Sequence, residues 1–431
     1  MSEISEIYER YLQHPHIQTD SRRIRPGDFF FALKGPNFDG NAYAEKALEQ
    51  GAAFAVVDDR ALAGHSGRLI CVDDALLCLQ QLARYHRLQL NIPVIAITGS
   101  NGKTTTKELL HAVLAKKYRA SATIGNLNNH IGVPLTLLRI QKDTEIALVE
   151  MGANHQKEIA FYCEIALPNY GLITNCGKAH LEGFGGIEGV RKGKGELYDF
   201  IRATGGSIFR NADLDYLSEM AHDIPEQITY GRANAQIIGR ALNDRQFLKV
   251  ALLSAGLETE IHTRLAGQYN LDNVLAAVAV GHYFKVPVDD IRAAVEAYQP
   301  DNSRSQWLEK GSNKIILDAY NANPSSMKLA IENLAHTEGG NKWLLLGGMK
   351  ELGEYSLKEH QEIVDLAERL GLANVLLCGP EFEHTRHHGH WFDNAHGLLD
   401  WLREHPVRSA LVLIKGSRGT GMEAVLPAFE D

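Results

Sequence analysis

The sequence has no apolar run approaching the roughly 18 to 20 residues that cross a bilayer. Its first residues, Met1-Ser2-Glu3-Ile4-Ser5, lead into polar, acidic sequence instead of a basic start and an apolar signal core. No membrane span and a cytoplasmic location are expected. A basic surplus is also missing: 44 Lys and Arg stand against 53 Asp and Glu, a net charge of −9. Phosphate backbones select clustered cations, so no nucleic-acid partner is expected, and any bound anion must be held locally. Cysteine is scarce. Cys71, Cys78, Cys163, Cys176 and Cys378 form no CxxC pair, and the odd count suits a reducing compartment. They read as small core hydrophobes. No internal repeat or low-complexity segment stands out.

What is present is 431 residues with 45% hydrophobic content, enough for sizeable cores in roughly two to four domains. The first block has strand-like segments at 29–33 and 53–57, a helix between them at 42–50, and a closing amphipathic helix at 75–90. Asn91-Ile92-Pro93 marks a boundary. The middle block alternates strands and helices, with strands at 94–98, 146–150 and 171–175 that end in glycine or polar turns, the pattern of a parallel sheet covered by helices. The stretch 236–263 alternates short apolar runs with turn residues and reads as antiparallel strands at one edge. After Gln299-Pro300-Asp301-Asn302 a new alternation begins, with strands at 315–317, 343–346, 375–378 and 411–414. The expected fold is α/β with three domains. A small α/β N-terminal domain covers 1–91, a central P-loop domain on a doubly wound, mostly parallel sheet covers 92–300, and a Rossmann-like C-terminal domain covers 301–431.

One turn carries a specific chemical signal. In IPVIAITGSNGKTTTKE a β-branched run breaks at Gly99, and Lys103-Thr104-Thr105 opens a helical stretch through Lys117. Unpaired N–H groups and the positive end of the helix dipole make such a turn an anion site, and a lysine and a hydroxyl reach terminal phosphates and their Mg2+. The general GxxxxGK[ST] pattern does not fit, because Ile97 stands where its first glycine belongs. In open parallel sheets ligands sit beyond the carboxyl ends of the strands. There IALVEMGANH places Glu150, a candidate Mg2+ ligand, and LITNCGKAHLEGFGG places His180. GVRKGKGELYDF then sets Lys192 and Lys194 on a predicted helix, which by composition alone is a solvated basic face. The run EFEHTRHHGHWF, with His384, His387, His388 and His390, matches no metal-ligand spacing and reads as a solvated loop.

The segments TGSNGKTTTKE, GNLNNHIGVPLTLL, VEMGANHQKEIA, AHLEGFGG, KGKGEL, GQYNLDNVLAA, LDAYNANPSSM, MKELG and KGSRG together resemble the Mur ligases, ATP-dependent amide-forming enzymes of cell-wall precursor synthesis. Within that family GNLNN, GANHQ, HLEGFGG and YNANPSSM are similar to the member that joins D-alanyl-D-alanine to UDP-N-acetylmuramoyl-tripeptide. The resemblance implies ATP and Mg2+ as cofactors and those two substrates as partners; a monomer is expected. It also implies that ATP phosphorylates the tripeptide carboxylate and that the dipeptide amine then displaces phosphate. Gly99, Asn101, Gly102, Lys103, Thr104 and Thr105 would hold the nucleotide phosphates, with Asn270 and Asn273 near adenine and ribose and Arg304 and Asp318 closing on the ATP. Thr104 and Glu150 would ligate one Mg2+, and His180 a second, beside the substrate carboxylate. Lys194, which precedes Gly-Glu as in the family motif, would be an N-carboxylated lysine on that second metal, with Lys192 as a rival.

TDSRRIRPGDFFFALKGPNFDG resembles the uridine-nucleotide-binding domain, so Ser21 and Arg22, with Asn128 and Asn129, are implied substrate contacts. Tyr320, Asn321, Asn323, Lys415 and Ser417 would meet the peptide or dipeptide, although Asn323 before Pro324 also reads as a helix cap. Two positions depart from the pattern. Gly347-Gly348-Met349 lacks an Asp that the family often carries there, and His130 replaces a residue that is frequently acidic. The ligase that adds the third peptide residue and folylpolyglutamate synthetase share the same P-loop and Mg2+ logic. A P-loop nucleotide switch is the non-enzymatic alternative.

Overall fold

The computed structural model describes residues 4–242, 246–254, 256 and 258–430. The Met1-Ser2-Glu3 start and positions 243–245, 255 and 257 of the expected antiparallel stretch lie outside the described residues. Packing divides the chain into two compact units. One comprises Met1–Ile97, Tyr118–Gly152 and Glu158–Gly171, the other Thr98–Lys117, Ala153–Lys157 and Leu172–Asp431.

In the first unit a four-stranded parallel sheet runs in the order Ile17–Gln18, Phe29–Phe31, Phe54–Val57, Leu69–Cys71. Three consecutive phenylalanines can occupy its centre because both faces are covered, and Phe29, Phe30 and Phe31 are all buried. Phe30 packs with Ala44, Ala47, Leu48 and Val57, so its truncation to alanine would cost about 3 to 5 kcal/mol. The expected helix at 42–50 begins later, at Ala44–Glu49, because Asp39 caps a preceding 3-10 turn, Gly40–Tyr43. The helix Ala75–Gln89 starts at an Asp74 cap that accepts from Leu77 N. Also in this unit, strands Val94–Thr98, Ile146–Glu150 and Ala120–Ala122 pair in parallel in that order, and the first two are wholly buried.

In the second unit one run of strands is ordered Thr259–His262, Lys249–Leu252, Ile237–Leu242, Glu226–Gly231, Ser207–Asn211, Tyr170–Ile173. The first three pair antiparallel, which bears out the edge expected over 236–263 for the described residues. The strand expected to reach Asn175 stops at Ile173, because Thr174 and Asn175 turn their groups onto the glycine turn. The helix after that turn is Lys103–Leu114, shorter than expected, and Lys117 instead donates to the carbonyls of Phe284 and Lys285. A six-stranded sheet follows, ordered Gln306–Lys310, Asn313–Asp318, Leu411–Lys415, Lys342–Gly347, Asn374–Cys378, His390–Phe392. Only its first strand is antiparallel. His390 thus opens a short strand, so the histidine-rich stretch is not all loop. Cys78, Cys163, Cys176 and Cys378 are buried and Cys71 is partly exposed.

Candidate active site

The glycine turn works because two of its residues have no side chain. Gly99 and Gly102 hold φ +143° and +79°, conformations that L side chains rarely adopt. A Cβ on Gly99 would collide with Thr174 Oγ1, and one on Gly102 would lie 2.5 Å from Asn273 Oδ1. Thr174 Oγ1 donates to Asn101 O at 2.6 Å, Asn101 N donates to Asn175 Oδ1 at 3.1 Å, and Ser100 N donates to Asn175 O at 2.9 Å. The turn is therefore braced from the loop at the end of the neighbouring strand. Lys103 folds back so that Nζ donates to Gly99 O at 2.6 Å, which keeps its ammonium at the turn. Thr104 is buried in the first helical turn and Thr105 is partly exposed.

Asn270 and Asn273 lie where the helix Leu271–Tyr283 begins, as expected, but their amides hold the protein to itself. Asn273 Oδ1 accepts from Thr106 Oγ1 at 3.0 Å, Asn273 Nδ2 donates to Asn270 Oδ1 at 2.8 Å, and Asn270 Nδ2 donates to Ala266 O at 2.8 Å. Thr106, Thr174 and Asn175 were not among the expected site residues. Their position in TTTKE and at the LITN strand end was the available signal.

Glu150 ends its strand and is 1% exposed. Asn128 Nδ2 donates to its Oε1 at 2.7 Å, while Asn129 Oδ1 accepts from Gly132 N at 2.9 Å at the start of the helix Gly132–Leu137. Ser21 and Arg22 sit on a 3-10 turn whose Asp20 cap is held at about 2, well below the usual carboxylate range, chiefly by its hydrogen bond from Arg22.

His180 precedes the short helix Leu181–Phe184 with φ 52°, and its Nδ1 lies 2.5 Å from Glu351 Oε2. That contact holds the Glu351 carboxyl below its ordinary range despite partial burial. Nearby, Lys178 pairs with Glu359 at 2.6 Å and with Glu362. On the helix Ile187–Thr204, Lys192 is exposed, whereas Lys194 is 1% exposed, donates to Ala153 O at 3.2 Å and stands 5.2 Å from the Phe184 ring centroid. Of the two rivals, Lys194 is the one the fold takes inside, and a lysine is rarely fully buried unless it is paired.

The last sheet brings its implied residues together. Asp318 and Lys415 end adjacent parallel strands in register, and Lys415 Nζ donates to Asp318 Oδ2 at 2.6 Å and to Asn321 O at 3.2 Å. The Arg304 guanidinium lies 3.8 Å from the Tyr320 ring centroid, between Ser303 and Ser305, both at positive φ. Ser417 Oγ accepts from Lys350 N at 3.1 Å. Asn323 caps the helix Pro324–His336 in a reciprocal box with Ser326, and its Nδ2 also donates to Asn101 Oδ1 of the glycine turn at 2.7 Å. The cap reading of Asn323 therefore holds, and the same side chain also reaches the glycine turn.

Among the described residues no three His, Cys, Asp or Glu side chains converge as a metal-holding group. Mg2+ commonly rests on one or two carboxylates, substrate phosphates and water, so a single buried carboxylate such as Glu150 suits it.

Fold and site define an α/β enzyme of the P-loop type, with a glycine turn braced by Thr174 and Asn175. Profiles of the Mur ligase family catalytic domain, the Mur ligase middle domain and the Mur ligase glutamate ligase domain match residues 15–87, 97–281 and 303–418. The UDP-N-acetylmuramoyl-tripeptide–D-alanyl-D-alanine ligase of Bacillus subtilis is 34% identical over 97% of this chain and 93% of its own length. The Escherichia coli protein of the same name is 33% identical over 100% and 98%. MurF from Acinetobacter baumannii superposes with a TM-score of 0.86 at 32% identity, covering 96% of this chain and 93% of that one. MurF ligase from Thermotoga maritima, solved in complex with ADP, gives 0.86 at 28% identity over 100% and 98%. The chain belongs to the Mur ligase family, with its three-domain α/β architecture.

Proposed function

We infer that this chain joins D-alanyl-D-alanine to the tripeptide carboxylate of UDP-N-acetylmuramoyl-tripeptide at the expense of ATP, forming the pentapeptide precursor of peptidoglycan. One observation carries the reading: the match, at 34% and 33% identity over nearly the whole chain, to ligases named for this reaction. The matched segments 15–87, 97–281 and 303–418 support a division into a substrate domain (1–91), an ATP domain (92–300) and a ligase domain (301–431).

A carboxylate is a poor electrophile until one of its oxygens becomes a phosphate leaving group. ATP supplies that phosphoryl group, the acyl phosphate forms, and the dipeptide amine attacks it and loses a proton as phosphate departs. Two anions must first meet, so cations have to lie between them. The Gly99–Gly102 turn and Lys103 would cradle the phosphates, Lys103 with its ammonium already aimed at the turn. We propose Thr104, Glu150, His180 and Lys194 as Mg2+ ligands. When bound, Mg2+ supplies charge neutralisation for the phosphates and the acceptor carboxylate. As a carbamate, Lys194 would present hard anionic oxygens, and the buried position of its nitrogen supports that role. Asn128 would hold Glu150 in place. Arg304, Asp318, Lys415 and Ser417 would close on ATP and substrate, with Tyr320, Asn321 and Asn323 against the peptide. Ser21, Arg22 and Asn129 would meet the nucleotide-linked sugar. Among the described residues no helix is long and apolar enough to cross a membrane. A cytoplasmic place of action is proposed from the nucleotide-linked substrate in the names of the similar ligases.

The purified chain should release ADP and phosphate in step with UDP-muramoyl-pentapeptide when given ATP, Mg2+, D-alanyl-D-alanine and a tripeptide ending in diaminopimelate or lysine. ADP release at full rate without either peptide substrate would defeat the ligase reading.

A further inference from the structure

Strands Lys342–Gly347 and Asn374–Cys378 run parallel with Gly347 level with Cys378, so the turns after them share the carboxyl edge of the sheet, where such sheets bind ligands. Glu381 stands in the second turn, on the 3-10 segment Pro380–Phe382, and reaches across to the first. Its Oε1 pairs with Lys350 Nζ. Its Oε2 is buried, and among the described residues it has no hydrogen-bond partner. That carboxylate lies over Gly348: a Cβ there would run into Oε2 and come within 2.7 Å of Cδ. A Cβ on Gly379 would come within 2.8 Å of the same oxygen. Two bare positions thus make room for one carboxylate, and a buried acceptor without a donor is costly enough to need a reason.

The loop it grips is otherwise anchored through its backbone. Gly348 N donates to Cys378 O at 2.9 Å, Met349 N to His360 Nε2 at 2.9 Å and Lys350 N to Ser417 Oγ at 3.1 Å. The next residue is Glu351, at φ 62°, which meets His180. Glu381 is the side-chain contact that fixes Lys350 just before that strained residue.

We propose that Glu381 is a positioning residue for the ligase reaction: it provides, from the neighbouring turn, the acidic group that position 348 has no side chain to supply, and through Lys350 it sets Glu351 against His180. This rests on the ligase reading, and one assay separates the two. Steady-state rates of the full chain are measured with ATP, UDP-muramoyl tripeptide and D-alanyl-D-alanine for wild type, Glu381→Gln, Gly348→Asp and Gly348→Asp/Glu381→Ala. Glu381→Gln should lower kcat roughly tenfold or more and leave KM for ATP within about twofold, because the phosphate turn is untouched. Gly348→Asp adds a second carboxylate to an occupied space and should lower kcat at least as far. In the double variant one carboxylate again has the space to itself, and kcat should return to within about threefold of wild type. Wild-type kcat in Glu381→Gln, or a double variant no faster than Gly348→Asp, overturns the inference and leaves the ligase reading standing. If Gly348→Asp does not fold, the split between kcat and KM in Glu381→Gln decides alone. A wild-type chain that makes no pentapeptide overturns the ligase reading and this inference with it.

Discussion

His180 Nδ1 lies 2.5 Å from Glu351 Oε2, and both residues hold the left-handed backbone, at φ 52° and 62°. Each such non-glycine conformation costs of order 1 to 3 kcal/mol and persists only where the surroundings enforce it, which happens most often at functional sites. The histidine holds the Glu351 carboxyl below its ordinary range, chiefly through their hydrogen bond. A carboxylate on one imidazole nitrogen fixes the ring and leaves the other nitrogen directed at a metal or substrate.

If His180 ligates Mg2+ as proposed, Glu351→Gln should lower kcat about 10- to 100-fold. Mg2+ titration of the rate should shift to higher concentration in parallel. A variant with wild-type kcat and an unchanged Mg2+ requirement would show that the pairing serves only the fold.

Lys103→Ala tests the phosphate turn. Its ammonium is held on Gly99 O at 2.6 Å, where charge would move between phosphates. Loss of one preorganised contact of this kind costs about 3 to 4 kcal/mol, or roughly 10²- to 10³-fold in rate. Near-normal turnover would show that the turn is not the cradle.

Local signals made the turn legible. Apolar residues, two glycines, a lysine and hydroxyls follow one another between Val94 and Thr106: the apolar run is a buried strand, the glycines take positive φ, and Lys103 opens the helix. The parallel strands were legible too, because continuous apolar runs such as Leu411–Lys415 have both faces buried. What stayed hidden depends on residues far apart in the chain. Glu351 lies within MKELG, and nothing in that segment announces that its carboxylate meets His180. The absence of an acid at Gly348 was visible, but the Glu381 carboxylate that lies over it comes from another turn. Asn273 illustrates the converse: the motif found the residue, and only the packing shows that its amide braces Thr106.

Lys194 supplies a third test. Its side chain is as deeply buried as a core residue, although by composition its helix face reads as solvated. Carboxylation needs the neutral amine and is stabilised once its oxygens meet Mg2+. Lys194→Ala should lose most activity, and acetate or formate at high concentration should restore part of it by filling the vacated anion position. Intact mass under carbonate, or density at the Lys194 nitrogen, reads the modification directly. A wild-type-like Lys194→Ala enzyme would reject the assignment.

The pH dependence of stability should carry a contribution from His360, which lies fully buried behind the 348–353 loop. Its Nε2 accepts from Met349 N at 2.9 Å and its Nδ1 faces Ser356 O at 2.7 Å, so the neutral ring carries its proton on Nδ1. Burial pushes its pKa below the ordinary value, opposed by the Ser356 carbonyl and the Glu381 charge and assisted by Lys350. In the unfolded chain the same imidazole titrates near 6.5, so as pH falls below about 6.5 the unfolded state takes up the proton first. Stability therefore rises with pH across that window: the contribution is complete above about 6.5 and is lost as pH falls toward the folded value. Glutamine at 360 can still accept from Met349 N but does not titrate. Urea unfolding at about pH 7.5 and about pH 5.5 should show a smaller acid loss in His360→Gln than in wild type, and the other histidines cancel in that comparison. Equal losses in the two proteins would mean that the His360 ring takes up its proton in place, with the Met349 hydrogen bond of no consequence to the fold.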